Sequence, residues 1–204
     1  VPFLPAMRSL LGSGVRALTG KCARAYTPEV LQSRIPLESL VKVELLRQEE
    51  SQRVREIWLE HHKSKDDAVG DVLTPAEADL IQERSRRAPH FVLPVFRGEG
   101  FVNLLANALP GEQRVLFSHL EDYKLNPATA PSQLTLALYD EFALDKNIVL
   151  MRGEMSNVML KKEAHQLMKL WIHMYTDEPS FEWVEKFNLR PQEFDFNAYI
   201  KAFE

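Results

Sequence analysis

At 204 residues, 45% apolar and 26% charged, with a net charge of −4, the chain has ordinary globular usage. Wholesale disorder, a collagen-like repeat and a coiled coil are excluded. The longest clear apolar runs are about the length of Ile148-Val149-Leu150-Met151, well short of the roughly 18 residues of a spanning helix, so no membrane insertion is expected. A single cysteine, Cys22, excludes an intrachain disulfide and a cysteine-based zinc site.

Residues 1–28 hold Arg8, Arg16, Lys21 and Arg24 and no acid. Their +4, against −4 for the whole chain, leaves −8 on the rest. That acidic balance argues against nucleic-acid binding, which needs clustered Lys and Arg. On a helix Leu11, Val15 and Leu18 share one side and Arg16 and Arg24 the other. An arginine-rich, acid-free amphipathic segment is expected to be an organelle import signal. The stretch Gly14–Cys22 imitates a phosphate-binding loop, but has five residues between its glycines and no Ser or Thr after Lys21, so it is rejected. The expected organisation is the basic segment 1–28, a linker 29–36 and a single domain over 37–204.

From Leu37 to about Lys63 the pattern is helical and charged, with Val54, Ile57, Trp58 and His61 on one stripe. Thr74-Pro75-Ala76-Glu77 predicts a capped helix start, with Pro75 at the first helical position. That helix runs to about Arg87, burying Leu80 and Ile81. His90–Phe96 reads as a strand that Pro94 consigns to an edge or a bulge. Gly98-Glu99-Gly100 turns it into Phe101–Ala108, and Pro110-Gly111-Glu112 leads to Arg114–Leu120. A long loop, Asp122–Gln133, precedes strands Leu134–Phe142 and Ile148–Gly153. Short connections require antiparallel neighbours. Three helices close the chain: one with the stripe Leu160, Ala164, Leu167, Trp171 and Met174, then Phe181–Phe187, then Pro191–Phe203. The fold class is α+β: a mainly antiparallel sheet of about five strands, covered on one face by N- and C-terminal helices.

Signs of catalysis are few. The zinc motif H-E-x-x-H, the nucleophile elbow and the dinucleotide glycines are missing from the sequence. His61 and His62 point about 100° apart on a helix and cannot share a metal. His119 with Glu121 at a strand end is the best general acid–base candidate, and the alternative reading is a small α+β enzyme using that pair; a general interaction adaptor is another. Seven aromatics from Phe181 to Phe203 are mostly core, yet short helices cannot bury aromatics on all sides; Phe194 and Phe196 diverge by about 200° on a helix, so one of them is expected to be exposed and to mark an interface.

Four segments carry a resemblance: Ala88-Pro89-His90-Phe91-Val92-Leu93-Pro94, Lys146–Met155, Glu163-Ala164, and Phe187-Asn188-Leu189-Arg190-Pro191-Gln192-Glu193-Phe194. In this order, from Leu37 to Glu204, the chain resembles the mitochondrial ATP synthase F(1) complex assembly factor family, of the type that chaperones the beta subunit. Ser156-Asn157 depart from it. The resemblance implies a non-enzymatic chaperone in the mitochondrial matrix, without cofactor and monomeric when free. It would bind the unassembled beta subunit and hand it to the alpha subunit. The Phe187–Phe194 motif reads either as a helix junction, with Pro191 presetting the last helix and Phe187 and Phe194 stapling it, or as a contact site. Phe187, Asn188, Leu189, Arg190 and Phe194 are accordingly the candidate partner-binding residues.

Overall fold

The computed structural model describes residues 34–98 and 100–203. The basic segment 1–28 and its false phosphate loop lie outside the described residues. Six strands form one antiparallel sheet in the order β1-β6-β5-β4-β3-β2: β1 Ala68–Leu73, β2 His90–Arg97, β3 Gly100–Leu109, β4 Arg114–His119, β5 Ser132–Tyr139 and β6 Val149–Met155. Six strands agree with the expectation of about five, with one strand added. The extra strand, β1, is buried along its whole length, so it lacks the apolar–polar alternation that marks a half-buried strand. It sits at an edge beside β6, with β2 at the other edge.

Helices cover both faces, not one. Val69 pairs with Gly153 and Gly70 with Arg152, so Gly70 and Gly153 point to opposite sides. A Cβ on Gly70 would meet the His62 ring at 2.6 Å, whereas one on Gly153 would meet Met168 Cε at 3.0 Å. The N-terminal and C-terminal helices therefore sandwich the sheet. On the first side the run expected as one helix is three: α1 Leu37–Leu40, α2 Val43–Gln48 and α3 Ser51–Lys63. Their Leu37, Leu46, Val54 and Trp58 pack against Val72, Ala137, Tyr139 and Leu150. The inward histidine is His62, 3% exposed, rather than His61. Its Nδ1 lies 2.8 Å from the Trp58 carbonyl, and its ring centroid is 4.3 Å from that of Trp58 with the planes tilted by 52°. Burial pushes its pKa down to about 4. Lys161 Nζ reaches the carbonyls of His62, Lys63 and Lys65, satisfying the C-terminus of α3.

On the other side lie α4 Pro75–Arg87, α7 Lys161–Thr176 and α8 Glu178–Leu189. The Thr74 cap forms as expected, Oγ accepting from the Glu77 N–H and Glu77 accepting from the Thr74 N–H. Helix α7 buries Ala164, Leu167, Met168, Trp171, Met174 and Tyr175. Leu160, read as part of that stripe, stands at the helix N-cap and is 66% exposed. Two short helices, α5 Leu120–Leu125 and α6 Ala143–Lys146, occupy segments read as a loop and a turn. Asn147 ends α6 at φ +57°, the left-handed conformation asparagine tolerates. The closing segment is a 3₁₀ turn, Pro191–Glu193, and α9 Phe196–Lys201, rather than one helix. At the other end of the described chain, Arg34 donates to the Leu138 carbonyl and lies over the Tyr139 ring at 4.7 Å. The Tyr139 hydroxyl donates to the Ile35 carbonyl, so the end of the expected linker is docked.

Candidate interaction site

An edge strand exposes every second backbone N–H and C=O. In the β2–β3 pair, Ala108 donates to the Pro89 carbonyl, and the register then places Phe91, Leu93 and Val95 in hydrogen-bonded pairs with β3. His90, Val92 and Pro94 turn their backbone groups outward. Four of these positions are accounted for, by a side chain or by the residue's own chemistry: the His90 N–H and C=O, the Val92 C=O and the N–H that Pro94 lacks. Asn188 Oδ1 accepts from the His90 N–H at 3.2 Å, and Asn188 Nδ2 donates to the His90 carbonyl at 2.5 Å and to the Val184 carbonyl at 2.8 Å. The carboxamide thus pairs with β2 as a neighbouring strand's peptide group would. The Tyr199 hydroxyl donates to the Val92 carbonyl at 3.0 Å. Pro94 has no N–H to satisfy, which is why proline is tolerated there.

The phenylalanines of the motif lock this arrangement. Phe91 points in from β2 and meets Phe187, Phe194 and Tyr199 edge-on, at centroid distances of 5.6, 6.3 and 5.1 Å. Phe187 and Phe194 meet at 5.2 Å and 80°. Such edge-to-face pairs add about 0.5–1.5 kcal/mol each beyond burial. Burial also raises the Tyr199 pKa, keeping its hydroxyl a donor. Of the five candidate partner-binding residues, Phe187 (0%), Asn188 (7%) and Phe194 (5%) are therefore buried in the core. Leu189, 50% exposed, and Arg190 keep surface. Arg190 pairs with Glu193 at 3.1 Å and Glu185 at 3.9 Å, and Glu185 with Arg87 at 3.1 Å.

The alternative pair does not come together as a catalytic dyad. Glu121 pairs with Lys124 one turn on, at 2.7 Å, while His119 ends β4 and precedes α5. Among the described residues no group of three or more His, Cys, Asp or Glu is placed to hold a metal ion, and no helix is long and apolar enough to cross a membrane. One pair had no signal in the sequence: Arg97 forks onto Glu163, 66 positions away, with bonds of 2.7 and 2.8 Å. Arg97 holds the Glu163 carboxyl below its ordinary range. Glu163 also accepts from the Leu160 N–H, so one carboxylate both caps α7 and ties down the β2–β3 hairpin.

Three proteins called "ATP synthase mitochondrial F1 complex assembly factor 1" align with 82% of this chain. The Homo sapiens protein is 29% identical over 51% of its own length, the Mus musculus protein 29% over 52%, and the Danio rerio protein 27% over 56%. The chain spans about half the length of the curated relatives it matches. The family profile described as ATP11 protein matches residues 21–200. With most of its length so matched, the chain belongs to the ATP11 protein family.

Proposed function

We propose that this chain acts in assembly of the F1 sector of mitochondrial ATP synthase, as a non-catalytic chaperone in the matrix. It binds the unassembled beta subunit and releases it to the alpha subunit. The observation that carries this reading is the family match over residues 21–200, together with the F1 assembly role printed in its relatives' names. Residues 1–28, basic and free of acids, serve in this reading as the import signal. A lone subunit of a ring exposes an apolar flank and aggregates. A partner that covers the flank lowers the free concentration of the aggregating species, and needs no nucleotide if the next subunit competes it away. Leu189 and Arg190 are the members of the candidate motif with surface to offer such a partner, while Phe187, Asn188 and Phe194 hold them in place.

The test is co-purification of the chain with isolated beta subunit, with and without alpha. Recovery of a beta complex that alpha disperses is the expected result. Failure to retain beta, or equal retention of many unrelated proteins, refutes the proposal.

A further inference from the structure

Separate apolar clusters hold the two faces of the sheet, one under α1–α3 and one under α4, α7 and α8. At the C-terminal end of α3 the first cluster closes on a polar pair. His62 and Arg152 are 3% and 8% exposed. Nδ1 of His62 faces the Trp58 carbonyl, an acceptor only, so Nδ1 carries the ring proton. Nε2 keeps a lone pair, and Arg152 Nη1 approaches it at 3.4 Å. The contact holds only while the imidazole is neutral, because a proton on Nε2 would point at a guanidinium in a site closed to water. The ring has no room to turn. A Cβ on Gly70 of β1 would meet it at 2.6 Å, and the His61 and Trp58 rings stand 5.2 and 4.3 Å away. The charges facing it oppose its protonation or are engaged elsewhere. Lys161 of α7 binds the His62 carbonyl, and Glu154 of β6 is taken by Arg152 at 3.2 Å. Asp71 of β1 points to the opposite face, onto Lys169. Lys63 pairs with Glu60 in solvent, and Lys65, Asp66 and Asp67 of the following turn are exposed.

We infer that the His62–Arg152 contact is a pH-sensitive latch on α3: proton uptake by His62 lets α3 swing off β1 and β6 while α7 and α8 stay packed on the other face. Opening carries the imidazolium into water and away from Arg152, which is the differential interaction that drives it. The remaining polar ties of α3 to the sheet are Trp58 Nε1 to the Met151 carbonyl at 3.0 Å and Arg55 to the Val72 carbonyl at 3.3 Å. Neither titrates in this range, so the pH dependence of the docking falls to His62. What the open latch uncovers is the side of the sheet that carries Val72, Tyr139 and Leu150. The latch stands apart from the function proposed above and needs no partner.

Amide exchange of the full chain at pH 7 and pH 5, corrected for intrinsic exchange rates, reads the opening. A histidine that titrates at about 4 when packed and at 6.5 when released makes opening about twentyfold more favourable at pH 5 than at pH 7. The expected result is protection of the Trp58 and His62 amides that lies below that of Trp171 and Val184 at both pH values and falls about twentyfold with acid. His62→Gln keeps an acceptor for Arg152 and does not titrate, so its α3 protection is expected to stay nearly level. Protection of α3 that ignores pH overturns the latch, and so does an equal fall in a folded His62→Gln. One protection factor shared by α3 and α8 overturns it too, because the chain then opens as a single unit. If His62→Gln does not fold, the profile of the parent decides. A fall of about tenfold per pH unit between 6 and 4.5, one proton per opening, supports the latch, and a flat or steeper profile overturns it.

Discussion

Replacing Asn188 by alanine removes three hydrogen bonds and almost no hydrophobic contact, so it isolates the role of the carboxamide on the β2 edge. The His90 N–H and C=O lose their partners. A buried backbone group left unpaired costs about 1–3 kcal/mol. His90 is partly exposed, which lets water reach part of the strand and places the expected loss near the lower end, about 2–4 kcal/mol for the pair. Urea unfolding followed by circular dichroism gives that loss as a shift of midpoint at constant slope. Amide exchange at His90 is expected to quicken in parallel. Asn188→Asp is expected to be worse, because a carboxylate would face the two carbonyls that the amide now serves. A loss below about 0.5 kcal/mol, with His90 still protected, refutes the edge-pairing role. Unchanged stability with beta-subunit capture abolished would instead move Asn188 to the contact surface.

Phe194→Glu places a charge among Phe91, Phe187, Trp183 and Tyr199 and is expected to cost more than about 4 kcal/mol, melting the C-terminal cluster; a folded variant with a normal melting curve would contradict its burial. Gly70→Ala drives a Cβ to 2.6–2.7 Å from the His62 ring, which Trp58 holds on two sides, so α3 must lift; the expected loss is about 1–3 kcal/mol, and an unchanged midpoint refutes that packing. His62 titrates near 4 when folded, against the ordinary 6.5. A base with a lowered pKa binds more protons unfolded, so its contribution is complete above about pH 6.5, declines between 6.5 and 4, and is gone below. At about 1.4 kcal/mol per pH unit this is on the order of 3 kcal/mol; a stability curve flat from pH 7 to 4.5 would refute it.

Local rules made part of this architecture readable. The Thr74 cap, Pro94 at an edge strand and the antiparallel hairpins each depend on residues within a few positions of one another, where backbone chemistry leaves few choices. The motif at Phe187–Phe194 announced itself, and the helix-junction reading of it agrees with the burial of Phe187 and Phe194. Its chemistry needed the third dimension, because the partner of Asn188 is the backbone of His90, 98 positions earlier. Strand β1 escaped notice because both of its faces are covered, which erases the alternation a half-buried strand displays.

The primary structure was enough to read an α+β fold with helices before and after the strands, since periodicity and capping act over short distances; the family likeness came separately, from the motif segments such as Phe187–Phe194. Folding alone brought α3 and α7 to opposite faces, withdrew three of five candidate contact residues into the core and set His62 against Arg152. Those outcomes depend on which way each pleat turns and on contacts between residues up to about a hundred positions apart, and no local pattern encodes them.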